Sequence, residues 1–174
     1  MAGIVFDLDH TLVHTHSECL PGFDTFEIDE GIVHVRPHAL ELLRYVIKSR
    51  LRLVVWTAGT SSYANEVVTG LWALMGLRSN VGVLVRSRDH TTGKALVKDI
   101  AGLRRELKVS LLLLVDDDPR HVYYMESNRG LVELCPPFRA NARHARHDMY
   151  LLRLRLRLRA NLQRTLLSGG ARAR

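Results

Sequence analysis

The sequence predicts a three-layer α/β fold with a largely parallel central sheet, and three observations carry that expectation. Short apolar runs of strand length alternate with longer amphipathic segments. Carboxylates and a hydroxyl residue fall where those runs end, at Asp7 and Asp9, at Thr57 and at Asp116 to Asp118, the place where open α/β sheets bind ligands. A chain of 174 residues that is 47% hydrophobic is long enough to bury one full core and leaves little room for a second.

The elements follow in order. Residues 3–7 read as a first strand. Residues 14–36 read as a short flap and β-hairpin: Pro21-Gly22, then Phe23, Phe26 and Ile28, a turn at Asp29-Glu30-Gly31, and Ile32-Val33 on the return. This insert is too small for a cap domain, and Phe26, Ile28 and Val33 fit either a reduced apolar pocket or plain hairpin core. Helical patterns follow at 37–49, 61–75, 94–107 and 119–126, and strands at 51–57, 81–85, 111–116 and 131–134. The third helix is expected to bury Leu96, Ile100, Leu103 and Leu107, which leaves Lys98 off the core stripe. Residues 61–64, Ser-Ser-Tyr-Ala, supply serine N-cap candidates facing the end of the 51–57 strand. Near the C-terminus, Leu151 to Arg159 alternates Leu and Arg as a strand would, while Leu151, Leu154, Leu158 and Leu162 also form a helical stripe.

Four segments carry chemistry. Asp7 and Asp9 stand two apart where an apolar strand runs out, a placement that in extended backbone aims both carboxylates the same way while Leu8 turns to the other side. Like charges so placed suit a hard cation or phosphate chemistry. Leu53 to Trp56 ends at Thr57, whose hydroxyl, with the backbone at Ala58 facing a helix start, suits phosphate oxygens. Val97-Lys98-Asp99-Ile100 offers a lysine, with Lys94 as a rival. Leu111 to Val115 reads as a buried parallel strand, and the three acids after it are costly unless they meet a cation.

Asp7-x-Asp9-x-Thr11 after an N-terminal strand resembles motif I of the haloacid dehalogenase superfamily. With Thr11-Leu12-Val13-His14 trailing it, the string is similar to the branch of RNA polymerase II carboxy-terminal-domain phosphatases and NLI-interacting-factor-like proteins. The other three segments resemble that branch's later motifs in the expected order, from Asp7 to Pro119, about two thirds of the chain. The resemblance implies a Rossmann-like fold of that superfamily. It also implies a Mg²⁺-dependent phosphoserine or phosphothreonine phosphatase working through an aspartyl-phosphate. Asp7 is expected as nucleophile, Asp9 as general acid and base, Thr57 and Lys98 as phosphate-side partners, and Thr11, Ala58 and Arg86 beside the phosphate. Mg²⁺ is expected on the Asp7 carboxylate, the Asp9 backbone carbonyl and Asp117, with Asp116 orienting Lys98 or a metal-bound water. The family's usual Asp-Asn-Ser-Pro is here Asp116-Asp117-Asp118-Pro119, which adds negative charge. The branch's longer insert, which makes an apolar pocket for a substrate proline, is shortened in residues 14–36.

Other phosphate chemistries fail on spacing. A cysteine phosphatase needs Arg six residues after Cys, where Cys19 is followed by Thr25 and Cys135 by Asn141. Gly93-Lys94 has Arg88 where a P-loop needs glycine, and Gly59-Thr60-Ser61-Ser62-Tyr63 breaks the nucleophile-elbow pattern. A nucleic-acid 3′-phosphatase of the same superfamily and a catalytically silent binding module remain as alternatives.

Charge is lopsided. Residues 139–174 hold ten arginines and one acid, Asp148, a net of +9, so the first 138 residues carry −2 against +7 for the whole chain. Residues 1–160 are expected to form the catalytic unit, with 139–174 an Arg-rich segment that begins as its terminal helix and ends in disorder. Its arginines fit nucleic acid, the acidic partner of a substrate or an anionic surface, although no aromatic platform is interleaved with them. Two cysteines without metal spacing suit a reducing compartment, and the absence of an apolar leader or span points to nucleus or cytoplasm rather than secretion or a membrane. His14, His16 and His34 lack an evident fourth ligand for zinc and read as a solvated flap.

Overall fold

The fold is that of a computed structural model, described over residues 1–78, 82–91, 96–121 and 132–170, with side chains described through residue 161. Along the chain run β1 (Ala2–Phe6), β2 (Val13–His16), β3 (Thr25–Ile28), β4 (Gly31–Val35), α1 (Ala39–Lys48), β5 (Arg52–Trp56), α2 (Ser61–Leu74), β6 (Val83–Arg86), α3 (Ile100–Glu106), β7 (Leu111–Asp116), β8 (Val132–Leu134) and α4 (Tyr150–Gly170). Five strands form a parallel sheet in the order β6-β5-β1-β7-β8. In this register Phe6 stands level with Val55 on one side and Val115 on the other. The chain therefore leaves the three central strands side by side, which brings Asp7, Thr57 and Asp116 to one edge.

Side-chain alternation makes the layers. Ile4 and Phe6 of β1 enter a core shared with α1, α2 and the first turns of α4, while Val5 enters a second core with Val54, Trp56 and α3 residues Ile100 and Leu103. Apolar residues on both faces of a strand are what a sheet covered on both sides requires. The insert forms a three-stranded antiparallel sheet, β2-β4-β3, with the β3–β4 turn at Asp29-Glu30 as expected. It docks on α2 where Phe26 lies over Gly70, so closely that a Cβ there would sit 2.3 Å from the ring. Phe26 and Ile28 line a groove of about 520 Å³ against Asn65, Glu66 and Thr69. Val33 does not reach it and belongs to the core.

Several expectations need correction. The helix expected at 94–107 begins at Ile100, because the Asp99 carboxylate caps it by accepting from the Gly102 N–H at 2.8 Å and Leu96 holds a left-handed backbone at φ 53. Leu96 is accordingly only half-buried, outside the helical stripe assigned to it. Lys98, off the core stripe of the expected helix, is nonetheless fully buried. Helix α2 is capped by Thr60, which accepts from the Tyr63 N–H, rather than by Ser61 or Ser62. Pro119–His121 is a single 3-10 turn, and the remainder of the expected 119–126 helix lies outside the described residues, as do Val81, Lys94, Leu131 and the end of the chain from 171. The ambiguous Leu/Arg stretch is helix: Leu151 and Leu154 are buried against the core and Leu158 is packed on it, while the side chain of Leu162 lies outside the described residues.

Candidate active site

After Phe6 the chain stops being a strand. The N–H groups of Leu12 and Val13 fold back onto the Leu8 carbonyl at 2.8 and 3.0 Å, and His10 turns the loop with φ 60. Leu8 is fully buried beneath it. The two acids therefore do not project as an extended pair. Asp7 reaches inward to the Lys98 ammonium at 2.6 Å, whereas Asp9 faces Thr57 and Tyr63. The Thr57 hydroxyl donates to Asp9 at 3.3 Å while accepting from the Gly59 N–H at 3.0 Å. The Tyr63 hydroxyl makes a very short hydrogen bond to the other Asp9 oxygen.

Lys98 is shared. Its ammonium lies 2.6 Å from Asp7 and 2.7 Å from Asp116, and Asp116 is itself fixed by accepting from the Asp118 N–H at 2.9 Å. Burial works against the lysine charge, but the two carboxylates outweigh it and hold the group above an ordinary lysine. Burial also pushes Asp7 well above the usual carboxylate range; Lys98 opposes this, and the charges of Asp116 and Asp9 add to it. Asp117 is pushed up by burial and by Asp116, with His10 and the Thr11 hydroxyl pulling the other way. The Thr11 hydroxyl donates to Asp117 at 3.3 Å.

Oxygen atoms of Asp7, Asp116 and Asp117 all lie within 4.8 Å of one another. One ammonium cannot neutralise two buried carboxylates and a third half-buried one, so the cluster carries excess negative charge in a dry setting. An all-oxygen donor set with that surplus fits a hard divalent cation such as Mg²⁺. The Asp9 carboxylate does not join the cluster, and Asp118 turns away to Arg120, whose hydrogen bonds hold its carboxyl down at about 2.

The other expected residues divide. Thr11 and Thr57 are buried at the site, and Ala58 is half-buried in the turn that leads to α2. Arg86, expected beside the phosphate, instead pairs with Glu106 at 2.5 Å and lies over the Trp56 ring. The histidine cluster spends ring nitrogens on the backbone: His34 donates to Ile32 and accepts from Leu20, His16 accepts from Glu18, and His14 accepts from Ala140. Tyr63 was part of a matched string but had no role assigned, and only the fold shows that its hydroxyl reaches Asp9. Arg36, bonded to the Thr11 carbonyl at 3.1 Å, was not singled out at all.

A family model described as NLI interacting factor-like phosphatase matches residues 3–163. The chain belongs to this family. The family is related to the haloacid dehalogenase superfamily, and the mostly parallel sheet with a small antiparallel insert agrees with that fold. Two solved structures share the fold. One is Fcp1, an essential RNA polymerase II CTD phosphatase, at 22% identity and TM-score 0.55 over 79% of this chain and 42% of that one. The other is the fission yeast RNA polymerase II CTD phosphatase Fcp1 bound to beryllium fluoride, at 21% identity and TM-score 0.54 over 78% of this chain and 41% of that one. This family member thus spans about two fifths of the length of either. Among curated proteins, none matches it by sequence. No helix among the described residues is long and apolar enough to cross a membrane.

Proposed function

We propose that the protein is a Mg²⁺-dependent phosphoprotein phosphatase acting on phosphoserine or phosphothreonine through an aspartyl-phosphate on Asp7. The observation that carries this reading is the division of labour between the two acids. Asp7 is buried against a lysine beside an acid cluster, and Asp9 is held by the hydroxyls of Thr57 and Tyr63. An Asp7 oxygen attacks phosphorus, the bond from phosphorus to the ester oxygen breaks, and Asp9 gives its proton to that oxygen. Asp9 then takes a proton from the water that attacks the acyl phosphate, which returns Asp7 and releases inorganic phosphate. Lys98 favours the ionised form of Asp7 that attacks and balances charge on the phosphoryl oxygens. Mg²⁺ held by Asp7, Asp117 and the Asp9 carbonyl, with Asp116 beside it, supplies a positive counter-charge to the transferring phosphoryl group.

The substrate class rests on access. Among the described residues only the small β2-β4-β3 sheet stands between β1 and α1, so a phosphorylated side chain on a macromolecule can enter where a capped site would exclude it. The groove beside Phe26 is a place for the neighbouring residue of such a substrate. A nuclear or cytoplasmic setting agrees with this chemistry.

Hydrolysis of p-nitrophenyl phosphate by purified protein, with and without Mg²⁺ and beside Asp7→Asn, tests the mechanism. Activity that disappears in the variant and on chelation is expected. Activity that survives Asp7→Asn overturns the nucleophile assignment. Phosphopeptides against a 3′-phosphorylated oligonucleotide then test the substrate class, and turnover of the oligonucleotide alone overturns the phosphoprotein reading.

A further inference from the structure

The segment from Cys135 to Asp148 runs beside the end of β7 and the acid loop, residues 7–13, and bonds to both. The Cys135 N–H donates to the carbonyl of Asp116 at 2.9 Å. Phe138 and His10 then bond reciprocally: the Phe138 N–H donates to the His10 carbonyl at 2.6 Å, and the His10 ring Nδ1 bonds the Phe138 carbonyl at 3.0 Å. His10 is the residue whose left-handed backbone turns the loop between Asp9 and Thr11, a conformation that a residue with a Cβ holds only when its surroundings impose it.

The far end of the segment is closed by an ion pair between buried Arg36 and half-buried Asp148. Asp148 Oδ2 accepts from Arg36 Nη2 at 2.7 Å and Nε at 3.0 Å, while Oδ1 caps α4 by accepting from the Tyr150 N–H at 2.8 Å. The remaining prong of the guanidinium, Nη1, donates to the Thr11 carbonyl at 3.1 Å. Arg36 is buried and stands over the Phe138 and Tyr150 rings, at 5.7 and 5.1 Å from their centroids. Thr11 in turn gives its hydroxyl to Asp117. One unbroken line of contacts thus runs from the start of α4 through Asp148, Arg36 and Thr11 to a carboxylate of the acid cluster.

We infer that Cys135 to Asp148 is a strap that positions the acid loop, with Asp148 as its anchor and Arg36 as the link that sets Thr11 and, through it, Asp117. The inference deepens the reading above and rests on it for the role of Asp117. Asp148 and Arg36 are positioning residues, since neither reaches the place where phosphate would sit. A rigid fork suits this task because a guanidinium can hold a carboxylate with two prongs and a carbonyl with the third, and partners of this kind behind a metal ligand typically change metal affinity when lost.

Asp148→Asn is the test. Asparagine caps a helix about as well as aspartate and keeps the shape, so the start of α4 survives while the charge holding Arg36 is removed. In metal-free protein, amide exchange at Thr11, Leu12 and Val13 is expected to accelerate at least about tenfold more than at Val54 and Val55 in the sheet. In calorimetric titration, Mg²⁺ is expected to bind about fivefold to tenfold more weakly than to wild type. Equal acceleration at both places, or none, overturns the strap and leaves the pair as simple support for the fold. Unchanged Mg²⁺ affinity with locally faster exchange overturns the link to Asp117. Wild-type protein that takes up no Mg²⁺ sinks the metal reading instead and leaves the strap to be decided by exchange alone. If Asp148→Asn does not fold, Arg36→Lys keeps a cation facing Asp148 without the fork that also reaches Thr11. The same local loosening is expected there, and its absence overturns the proposal.

Discussion

Two cations are buried close to the acid loop, Lys98 and Arg36, and the company each keeps separates chemistry from architecture. Lys98 lies between two buried carboxylates, Asp7 and Asp116, with a third, Asp117, close by. Its neighbourhood is short of positive charge, and Asp7 and Asp117 are both pushed up, first by burial and then by the neighbouring carboxylates. Arg36 meets one carboxylate, one carbonyl and two aromatic faces, and its charge is matched. A surplus of buried charge has to be justified by something that binds there, whereas a balanced pair needs nothing more than good geometry. The molecule keeps its imbalance at the strand ends and its balance where Arg36 joins Thr11 to Asp148.

Removing each cation should therefore fail in different ways. Lys98→Met is expected to lower kcat at least about 10³-fold, roughly 4 kcal/mol of transition-state stabilisation, measured with p-nitrophenyl phosphate at saturating Mg²⁺. A loss smaller than tenfold would remove Lys98 from the chemistry and make it resemble Arg36. Arg36→Met should instead act first on stability, by about 2–3 kcal/mol, because it removes charge-assisted hydrogen bonds to half-buried Asp148. Replacing both, Arg36→Met with Asp148→Leu, should recover much of that stability in urea unfolding. A double variant no better than the single one would show that the pair is not the balanced unit described here.

A finer contrast lies within the site. The carboxylate of Asp7 is held by a charge, and that of Asp9 by hydroxyls. Tyr63→Phe removes the shortest of the Asp9 hydrogen bonds and leaves the ring packed, so a fall in kcat of about tenfold, near 1.4 kcal/mol, is expected with little change in KM. Burial and the Asp9 charge hold the Tyr63 hydroxyl far above the ordinary range, so it serves as a donor throughout the working pH. A rise in KM with unchanged kcat would instead assign Tyr63 to substrate binding.

What the sequence disclosed follows the same division. Asp7, Thr57 and Asp116 could be placed because each ends an apolar run, and parallel register then sets strand ends side by side. Lys98 was found, but its burial was not, since helical periodicity was carried through a stretch that Leu96 and Asp99 take out of the helix. Arg86 is expected beside the phosphate only through the family resemblance, and its side chain lies over Trp56 and pairs with Glu106. Arg36 and Asp148 are 112 residues apart, and no local pattern links them. One signal was present: Asp148 is the only acid in the last 36 residues, among ten arginines, and a lone carboxylate in such company has some particular cation to meet. The Arg-rich end was thus read by its net charge, when the residue that ties it to the site was its exception.

The smallest expected effect concerns the strap's contact with β2. His14 Nδ1 accepts from the Ala140 N–H at 3.2 Å, which an imidazolium cannot do because both its nitrogens carry protons. Burial, together with the charges of His10, His16, His34 and Arg139, lowers the His14 pKa to about 4 from an ordinary 6.5. Between those values the unfolded chain takes up the proton and the folded one does not. The contribution of His14 is accordingly full above about pH 6.5 and is lost as the pH falls towards 4. The whole displacement corresponds to about 3 kcal/mol; with the ring half-exposed, solvent screening reduces the expected loss to about 1 kcal/mol. For a chain of this size that is a fall in Tm of about 2–4 °C. His14→Gln keeps an acceptor without the titration, so its Tm should vary less with pH across this window than that of wild type. Parallel profiles would show that acid reaches the fold through the buried carboxylates and not through the strap, and would place the pH-sensitive element beside Lys98.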